Sequence, residues 1–334
     1  MKGVTVLIPS YNEQEVLHQL YARLTDVVAS LHHYKFEFLF INDGSKDNTL
    51  QIIMSLAEND QRISYVSLSR NFGKETAMLA GLDYATGDAV IIIDADLQDP
   101  PELIPVMIKY WEEGYDDIYA KRRTRAGETW FKKWTARTYY HMLRKVTRIP
   151  IQENTGDFRL LDRRCIEALK QLREVHRNTK GMFSWIGYHK KEILFDRDPR
   201  AAGETKWNYV RLFDLAIEGI TSFTTTPLRL STISGGVISV CAFIYMLFII
   251  IKTILYGADV AGYPSIITVI LFLGGIQLLS LGILGEYLGK VFNETKRRPL
   301  YFVDLYNGSK RGTSEFRTTK DKIVLNNEKV KSIV

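Results

Sequence analysis

The chain has 334 residues and a formal net charge of +6, from 44 Lys and Arg against 38 Asp and Glu, and this length suffices for one large or two ordinary domains without disulfide support. Its two cysteines, Cys165 and Cys241, lie far apart and in no Cys/His cluster, which excludes a disulfide scaffold and a zinc finger. The basic balance is compatible with a nucleic acid, a membrane surface or a phosphorylated substrate as partner, and does not choose among them.

Short apolar runs alternate with amphipathic segments from the first residues onward, which predicts alternating strands and helices. The predicted strands are Val4–Ile8, Phe36–Ile41, Ile63–Leu68 and Ala89–Ile93, and the predicted helices between them lie around Glu13–Leu31, Asp47–Glu58 and Lys74–Ala85. This order predicts an α/β fold with a mostly parallel, twisted sheet that carries helices on both faces.

A polar segment follows each predicted strand, at the carboxyl ends where sheets of this type bind ligands. The segments are Pro9–Glu13, Asn42–Ser45, Ser69–Lys74 and Asp94–Asp99. One such segment is typical of a capped turn, but four at one edge predict a site. No GxGxxG or GxxxxGK[ST] motif follows a strand, which argues against a dinucleotide-binding Rossmann domain and a P-loop NTPase.

Two carboxylates end the fourth predicted strand and could serve one hard cation. Asp94 and Asp96 are separated by one residue, and Gln98 offers a further oxygen. Mg²⁺ and Mn²⁺ prefer oxygen ligands and share their coordination with substrate phosphates. A D-x-D sequence alone is as typical of a solvated turn, but the strand before it and the helix start at Asp99–Glu102 favour a metal site.

Two long segments near the C-terminus carry no charge. Ser231–Ile251 has 21 residues and Val260–Gly285 has 26, and each exceeds the roughly 20 residues that cross a bilayer core. We therefore predict two membrane spans rather than two buried core helices. Basic residues flank both outer ends, while the connection carries only Asp259. The positive-inside rule then places both outer flanks in the cytoplasm.

The sequence resembles the family 2 glycosyltransferases of GT-A fold. The resemblance lies in the pair of apolar spans and in five segments before them, PSYNE, NDGSKDNT, RNFGKE, DADLQDPPE and TGDFRL. More narrowly, they resemble polyprenyl-phosphate glycosyltransferases, namely bacterial bactoprenol glucosyltransferases and dolichol-phosphate mannose synthase-like enzymes. The resemblance covers roughly residues 4–305. It implies a cytoplasmic catalytic domain over 1–228, a two-helix transmembrane hairpin over 229–291, and a cytoplasmic tail over 292–334 with a disordered end.

The resemblance also implies a donor site. The residues expected to hold the nucleotide are Pro9, Tyr11, Glu13, Asp43 and Asp94. A carboxylate at Asp43 can accept from the uracil N3–H or from ribose hydroxyls, and the Tyr11 ring can lie against the base. Asp94, Asp96 and Gln98 match the family's metal motif, with Asp96 preferred as the direct ligand. Such a metal would neutralise charge on the departing diphosphate.

On the acceptor side, the resemblance assigns Thr155–Leu160 to the wall of the site, with Asp157 facing the sugar and the nucleophile. The family role of this residue is general base. The acceptor phosphate, however, has a second pKa near 6 and arrives mostly as a dianion. We therefore expect Asp157 to position the acceptor, with the base role as the alternative. An Asp that merely caps a helix or turn is the non-functional interpretation.

Three cations are expected to bind phosphate groups. Lys206 and Arg200 precede the first apolar span in a segment that matches a family pattern, and Lys206 joins Asp96 and Asp157 in the expected catalytic set. Arg122 follows the fifth predicted strand, Asp117–Ala120, where the family carries a basic residue. A solvated surface position is an equal interpretation for Arg122.

A basic and aromatic segment joins the two halves of the predicted catalytic domain. Between Lys121 and Arg148 it holds ten Lys and Arg against one acid, Glu128. This mixture is also typical of nucleic-acid binding, but the two predicted spans favour an interfacial helix near 129–147 on anionic lipid. We expect a membrane partner and no nucleic acid. Glycine pairs in both spans favour a homo-oligomer.

Together, the residues and the resemblance predict transfer of glucose from UDP-glucose to undecaprenyl phosphate, with inversion and with Mg²⁺ or Mn²⁺, at the cytoplasmic face of a bacterial inner membrane. UDP-GlcNAc and GDP-mannose are alternative donors. A synthase that exports its own product is disfavoured, since two spans enclose no polymer channel and a QxxRW motif is absent. The intact Asp94, Asp96, Gln98 and Asp157 argue against a non-catalytic membrane scaffold.

Overall fold

The computed structural model describes residues 1–123, 155–196, 224–256 and 262–308. These residues form two compact units. The first contains 1–123, 155–196 and 299–308, and the second contains 224–256 and 262–298. The predicted interfacial helix at 129–147 lies outside the described residues.

The first unit alternates strands and helices along the chain. Its elements are β1 (Lys2–Ser10), α1 (Leu17–Val28), β2 (Tyr34–Asn42), α2 (Thr49–Asn59), β3 (Ile63–Leu68), α3 (Lys74–Tyr84), β4 (Ala89–Ile92), a 3-10 turn (Pro101–Leu103), α4 (Ile104–Glu112), β5 (Asp117–Arg122), β6 (Thr155–Asp162), α5 (Arg163–Gln171), α6 (Thr179–Trp185), β7 (Lys190–Phe195) and, after the second unit, β8 (Val303–Tyr306).

The strands form one sheet in the order β7-β5-β6-β4-β1-β2-β3-β8. The four central strands β4, β1, β2 and β3 are parallel, as is the pair β5 and β7. β6 is antiparallel to β4 and β5, and β8 is antiparallel to β3. The predicted α/β class with a mostly parallel sheet is confirmed, and β6, β7 and β8 add to the strands that the sequence predicted.

Helices cover both faces of the sheet, which explains the continuous apolar run of β1. Val4, Val6 and Ile8 pack into one core with α1 and α4, whereas Leu7 packs into the other with α3 and α5. All four side chains are fully buried. Gly81 of α3 lets that helix approach β1, because a Cβ at this position would overlap Leu7.

The last strand returns from the C-terminal side of the second unit. β8 pairs with β3 through Val66 opposite Tyr306, and the Ser69 N–H donates to the Phe302 carbonyl at 2.9 Å. The Tyr301 hydroxyl donates to Asp83 of α3 at 2.7 Å. Part of the predicted tail therefore belongs to the sheet.

The second unit consists of the helices α7 (Thr226–Tyr256) and α8 (Tyr263–Thr295). Both helices are long and apolar enough to cross a membrane, and their large apolar side chains are mostly exposed. The predicted first span lies within α7. α8 continues to Thr295, ten residues past the predicted end at Gly285.

Candidate active site

The candidate site lies at the edge of the sheet where β1, β2, β3 and β4 end. β6 starts at this edge, since it runs antiparallel to β4 with Arg159 opposite Ile92. This register brings Asp157 level with Asp94, two residues past Ile92. The prediction that the four polar segments share the carboxyl edge of the sheet is confirmed, and this is where open α/β sheets bind ligands.

The loops after β1 and β2 are joined by hydrogen bonds. Asn12, in the left-handed region with φ of +56°, donates its backbone N–H to Ser45 Oγ at 3.1 Å and accepts at Oδ1 from the Lys46 N–H at 2.8 Å. The Glu13 N–H donates to Thr49 Oγ1 at 2.8 Å. These contacts fix the first loop against the second.

Pro9 and Tyr11 lie on this same first loop or directly before it. Pro9 is in β1 opposite Ile41, two residues past Leu7, the last residue paired with β4. A proline is tolerated at that position because no β4 carbonyl there requires its missing N–H. The Tyr11 side chain is 40% exposed and so presents its ring to solvent at the site edge. Their nucleotide-binding roles, like that of Glu13, stay predictions.

Asp43, the first residue after β2, is buried and organises the loop after β3. Its two carboxylate oxygens accept the N–H groups of Phe72 at 2.7 Å and Gly73 at 2.9 Å. Burial raises the pKa of Asp43, although these two hydrogen bonds oppose the rise. Gly44, with φ of +64°, permits the close approach of the loops, since a Cβ there would collide with the Arg70 backbone. A carboxylate oxygen can accept more than one hydrogen bond.

The loop after β4 contains a residue with a strained backbone. Leu97 is buried and has φ of +60°, a conformation that costs on the order of 1 kcal/mol or more for a bulky side chain and that concentrates at functional sites. Asp96 Oδ1 accepts the Gln98 N–H at 3.2 Å. Asp94, Asp96 and Gln98 are all half-buried and lie on this one short loop.

The donor set of this loop fits a hard divalent cation. Asp94, Asp96 and Gln98 offer two carboxylates and an amide, all oxygen ligands, and such an ion takes its remaining ligands from phosphates and water. Across the described ranges, no group of three or more His, Cys, Asp and Glu is arranged to hold a metal by itself. A metal at this loop would therefore depend on substrate oxygens for part of its coordination.

Lys74, at the start of α3, joins two of the predicted carboxylates. Its Nζ lies 2.7 Å from Asp94 Oδ1 and 2.5 Å from Asp157 Oδ2. Desolvation lowers the pKa of Lys74, but the charges of Asp94 and Asp157 outweigh it and the net shift is upward. The sequence predicted no role for Lys74. The feature of the sequence that could have indicated a role is the position of Lys74 at the end of the polar segment Ser69–Lys74, which follows β3.

Asp157 lies inside β6 and caps no helix, so the capping interpretation is wrong. Its side chain is 10% exposed. Burial would raise its pKa, but the charges of Lys74, Lys180 and Arg159 lower the pKa to about 2. Its second oxygen, Oδ1, is buried and accepts no hydrogen bond from the described residues. The carboxylate is therefore ionised at neutral pH and has one oxygen in need of a donor.

A buried ion pair lies beside Asp157 on the same face of β6. Arg159 is fully buried, and its Nη1 donates to both oxygens of Asp117 at 3.1 and 3.2 Å. The guanidinium stacks on the Phe183 ring, 3.6 Å from the centroid. Lys190 Nζ lies 3.7 Å from Asp117. This arrangement ties β6 to β5 and α6 below the site.

Glu75 follows Lys74 and fixes α6 to α3. Its Oε2 accepts the Thr179 N–H at 2.9 Å and also the Thr179 hydroxyl. Burial and the charge of Asp157 raise the pKa of Glu75 to about 7, against the lowering effects of Thr179, Lys74 and Lys180. No sequence signal distinguished this residue from an ordinary acid in a first helical turn.

The predicted phosphate-binding cations are only partly described. Arg122 is the last residue of β5, is half-buried, and lies next to the start of β6: a Cβ on Gly156 would be 3.7 Å from its Nη2. Arg122 thus shares the site edge with Asp157. Arg200 and Lys206 lie outside the described residues.

Comparison with known proteins agrees with this geometry. The model of the family described as "Glycosyl transferase family 2" matches residues 5–170. An uncharacterized glycosyltransferase of Synechocystis sp. is 52% identical over 300 residues, which cover 90% of this chain and 94% of that protein. The chain belongs to glycosyl transferase family 2. The resemblance seen in the sequence motifs is thereby confirmed, and the sheet is that of a GT-A-like glycosyltransferase.

Other relatives of this family 2 glycosyltransferase carry more specific names. The prophage bactoprenol glucosyl transferase homolog of Escherichia coli (strain K12) is 45% identical over 300 residues, 90% of this chain and 98% of that protein. Among solved structures, mannosyl-3-phosphoglycerate synthase from Rubrobacter xylanophilus superposes with a TM-score of 0.46 at 17% identity, over 69% of this chain and 74% of that one.

Proposed function

We propose that this glycosyltransferase transfers glucose from UDP-glucose to a polyprenyl phosphate, undecaprenyl phosphate in bacteria. The observation that supports this most strongly is the 45% identity to a protein named as a bactoprenol glucosyl transferase homolog, over nearly the full length of both chains. That length includes the α7–α8 region as well as the sheet. The similarity thus extends beyond the nucleotide-binding half that any family 2 enzyme shares.

The loops after β1 and β2 bind the nucleotide in this proposal. Tyr11 lies against the base, Pro9 and Glu13 shape the loop, and Asp43 accepts from the base or ribose. Asp94, Asp96 and Gln98 hold Mg²⁺ or Mn²⁺, which when bound neutralises charge on the departing diphosphate.

Asp157 positions the acceptor and takes no proton from it. A carboxylate with a pKa of about 2 is a far weaker base than the acceptor phosphate, whose second pKa is near 6. The phosphate oxygen attacks the anomeric carbon, the bond from that carbon to the diphosphate oxygen breaks, and UDP leaves with the electron pair. Displacement from the opposite side inverts the anomeric configuration. Asp157 exerts its positioning role through the sugar: a hydroxyl of the glucosyl group donates a hydrogen bond to Oδ1, the oxygen that accepts none from the described residues, and so holds the anomeric carbon toward the acceptor phosphate.

Cations and a membrane complete the acceptor side. Arg122, Arg200 and Lys206 compensate the charge of the two phosphate groups. α7 and α8 cross the inner membrane, with the catalytic unit in the cytoplasm, where a lipid phosphate is within reach. Small residues on the apolar helices support a homo-oligomer, because they let a second helix approach closely. A Cβ added at any of four glycines would meet no described atom within 4 Å, namely Gly235, Gly236, Gly274 and Gly275.

A donor panel tests the proposal. The purified full chain receives undecaprenyl phosphate, Mg²⁺ or Mn²⁺, and one of UDP-glucose, UDP-GlcNAc, UDP-galactose or GDP-mannose, and lipid-linked product is measured by mass spectrometry. We expect transfer from UDP-glucose that is at least about 100-fold slower in Asp96→Ala and unchanged in the matched control Asp26→Ala, an exposed position on α1. Preference for another donor would correct the sugar, and no transfer from any donor would favour the scaffold interpretation.

A further inference from the structure

The first turn of α3 is the point at which the separate parts of the site meet. Asp43 from β2 accepts the N–H groups of Phe72 and Gly73, directly before the helix. Lys74 is the first residue of α3 and contacts Asp94 after β4 and Asp157 in β6. Three elements that are distant in sequence therefore converge on a single turn.

The contact geometry makes Lys74 a bridge. Its Nζ is within 2.7 Å of an Asp94 oxygen and within 2.5 Å of an Asp157 oxygen. The contact to Asp94 has the length of a charge-assisted hydrogen bond, and the contact to Asp157 is shorter still. Without the ammonium group, two carboxylates would face each other across a small gap, and like charges at that separation repel. The side chain itself is 43% exposed, so substrate can approach it.

The backbone that carries Lys74 is held on both sides. Asp43 fixes residues 72 and 73, and Glu75 binds the Thr179 N–H at 2.9 Å. These contacts from the end of β2 and from α6 fix the backbone position from which the Lys74 side chain extends. The lysine side chain still loses rotamer entropy on forming the bridge, and the two short contacts to carboxylates offset that loss.

We propose that Lys74 is a positioning residue for glycosyl transfer, holding the donor-side carboxylate of Asp94 and the acceptor-side carboxylate of Asp157 at a fixed separation. It acts through these two side chains rather than on the reacting atoms. The inference deepens the proposed function and rests on it for the names donor and acceptor. The competing role, direct binding of the donor diphosphate by Lys74, makes a different kinetic prediction.

Steady-state kinetics separate the two roles. Misplacement of reacting groups by about 1 Å costs on the order of 100-fold in rate, so Lys74→Met should lower kcat by about that factor with the KM for UDP-glucose changed less than about threefold. Lys74→Arg keeps the bridging charge and should recover kcat to within about tenfold of wild type. Lys109→Met, an exposed lysine of α4, is the matched control. A raised donor KM at unchanged kcat would overturn the inference in favour of direct diphosphate binding.

A double-mutant cycle with Asp157→Asn tests the bridge itself. If Lys74 acts through Asp157, adding Lys74→Met to Asp157→Asn should reduce kcat by less than about threefold, because coupled residues are not additive. Independent, multiplicative losses would overturn the inference. Isothermal titration of UDP-glucose into Lys74→Met should give an affinity within about threefold of wild type. The bridge is proposed to act in the transition state and not on ground-state binding of the donor.

Thermal unfolding of the same four proteins provides a readout that needs no turnover. The fall in Tm caused by Lys74→Met should be smaller when Asp157 is already Asn, because the unpaired buried charge is then absent. Equal falls in both backgrounds would overturn the bridge. If wild type transfers no sugar from any donor, the proposed function fails while this cycle still decides whether the bridge exists. Should Lys74→Met not fold, Lys74→Gln takes its place in every arm.

Discussion

Removal of Arg159 should strongly destabilise the first unit, because Arg159 and Asp117 form an ion pair with no exposure to solvent. Both side chains are almost completely buried, at 1% and 0% exposed, with Nη1 3.1 Å from the nearer carboxylate oxygen. Arg159→Met leaves Asp117 as a buried charge whose nearest remaining cation, Lys190, is 3.7 Å away. Breaking a buried pair from one side costs about 3–5 kcal/mol.

This cost converts into a large thermal shift. For a domain of about 150–250 residues, 1 kcal/mol lowers Tm by about 2–4 °C, so Arg159→Met should unfold roughly 6–20 °C below wild type. Asp117→Asn combined with Arg159→Met should recover much of that loss, since the buried carboxylate that Arg159 no longer neutralises is then absent. Thermal unfolding followed by the fluorescence of the full chain in detergent measures both shifts.

A partly exposed ion pair on α5 provides the control for this prediction. Lys170 contacts Glu167 at 3.1 Å, and Glu167 is 54% exposed. Lys170→Gln should cost only about 0–1 kcal/mol. If Arg159→Met unfolds as close to wild type as Lys170→Gln does, or if the double variant is less stable than Arg159→Met alone, the argument from burial is refuted.

Four further outcomes follow from the site and the sheet. Asp157→Asn should retain measurable transfer, with a pH profile that still follows the acceptor phosphate near 6; an inactive variant rescued only at high pH would indicate a base. Asp96→Ala should lower kcat by at least about 100-fold and EDTA should stop wild-type turnover, which activity in chelator would contradict. Glu75 has a pKa raised from 4.5 to about 7 in the folded chain, so its contribution to stability is full below pH 4.5 and falls as pH rises through 7; Glu75→Gln should flatten that fall in Tm. A chain that ends at Arg298 lacks β8 and should unfold at a lower temperature than one that ends at Gly308, and equal melting would mean that β8 adds nothing.

The central half of the sheet could be predicted from sequence because its signals are local. Val4–Ile8 and Ala89–Ile93 are short apolar runs bounded by polar turns, and both fall within or next to observed strands. β6 gave no such signal. Asp157 and Arg159 place two charges on one face of that strand, and their burial depends on Lys74 and Asp117, which are far away in sequence.

The site was predictable in outline for the same reason. Asp43, Asp94 and Asp96 follow strands directly, so topology alone brings them to one edge. What the sequence did not reveal is which side chains contact each other there. Asp43 is occupied by backbone N–H groups of the next loop, and Lys74 reaches two carboxylates at once. Both facts depend on loop geometry that no residue pattern encodes.

Strand β8 also sets the order in which this protein can be completed during synthesis. The ribosome makes β3 first, then about 230 further residues that include both apolar helices, and only then the segment Val303–Tyr306 that pairs with β3. The edge of β3 therefore stays unpaired while α7 and α8 emerge, and an unpaired edge invites wrong partners. Because β8 pairs last, the sheet of the catalytic unit is complete only after both apolar helices have been translated.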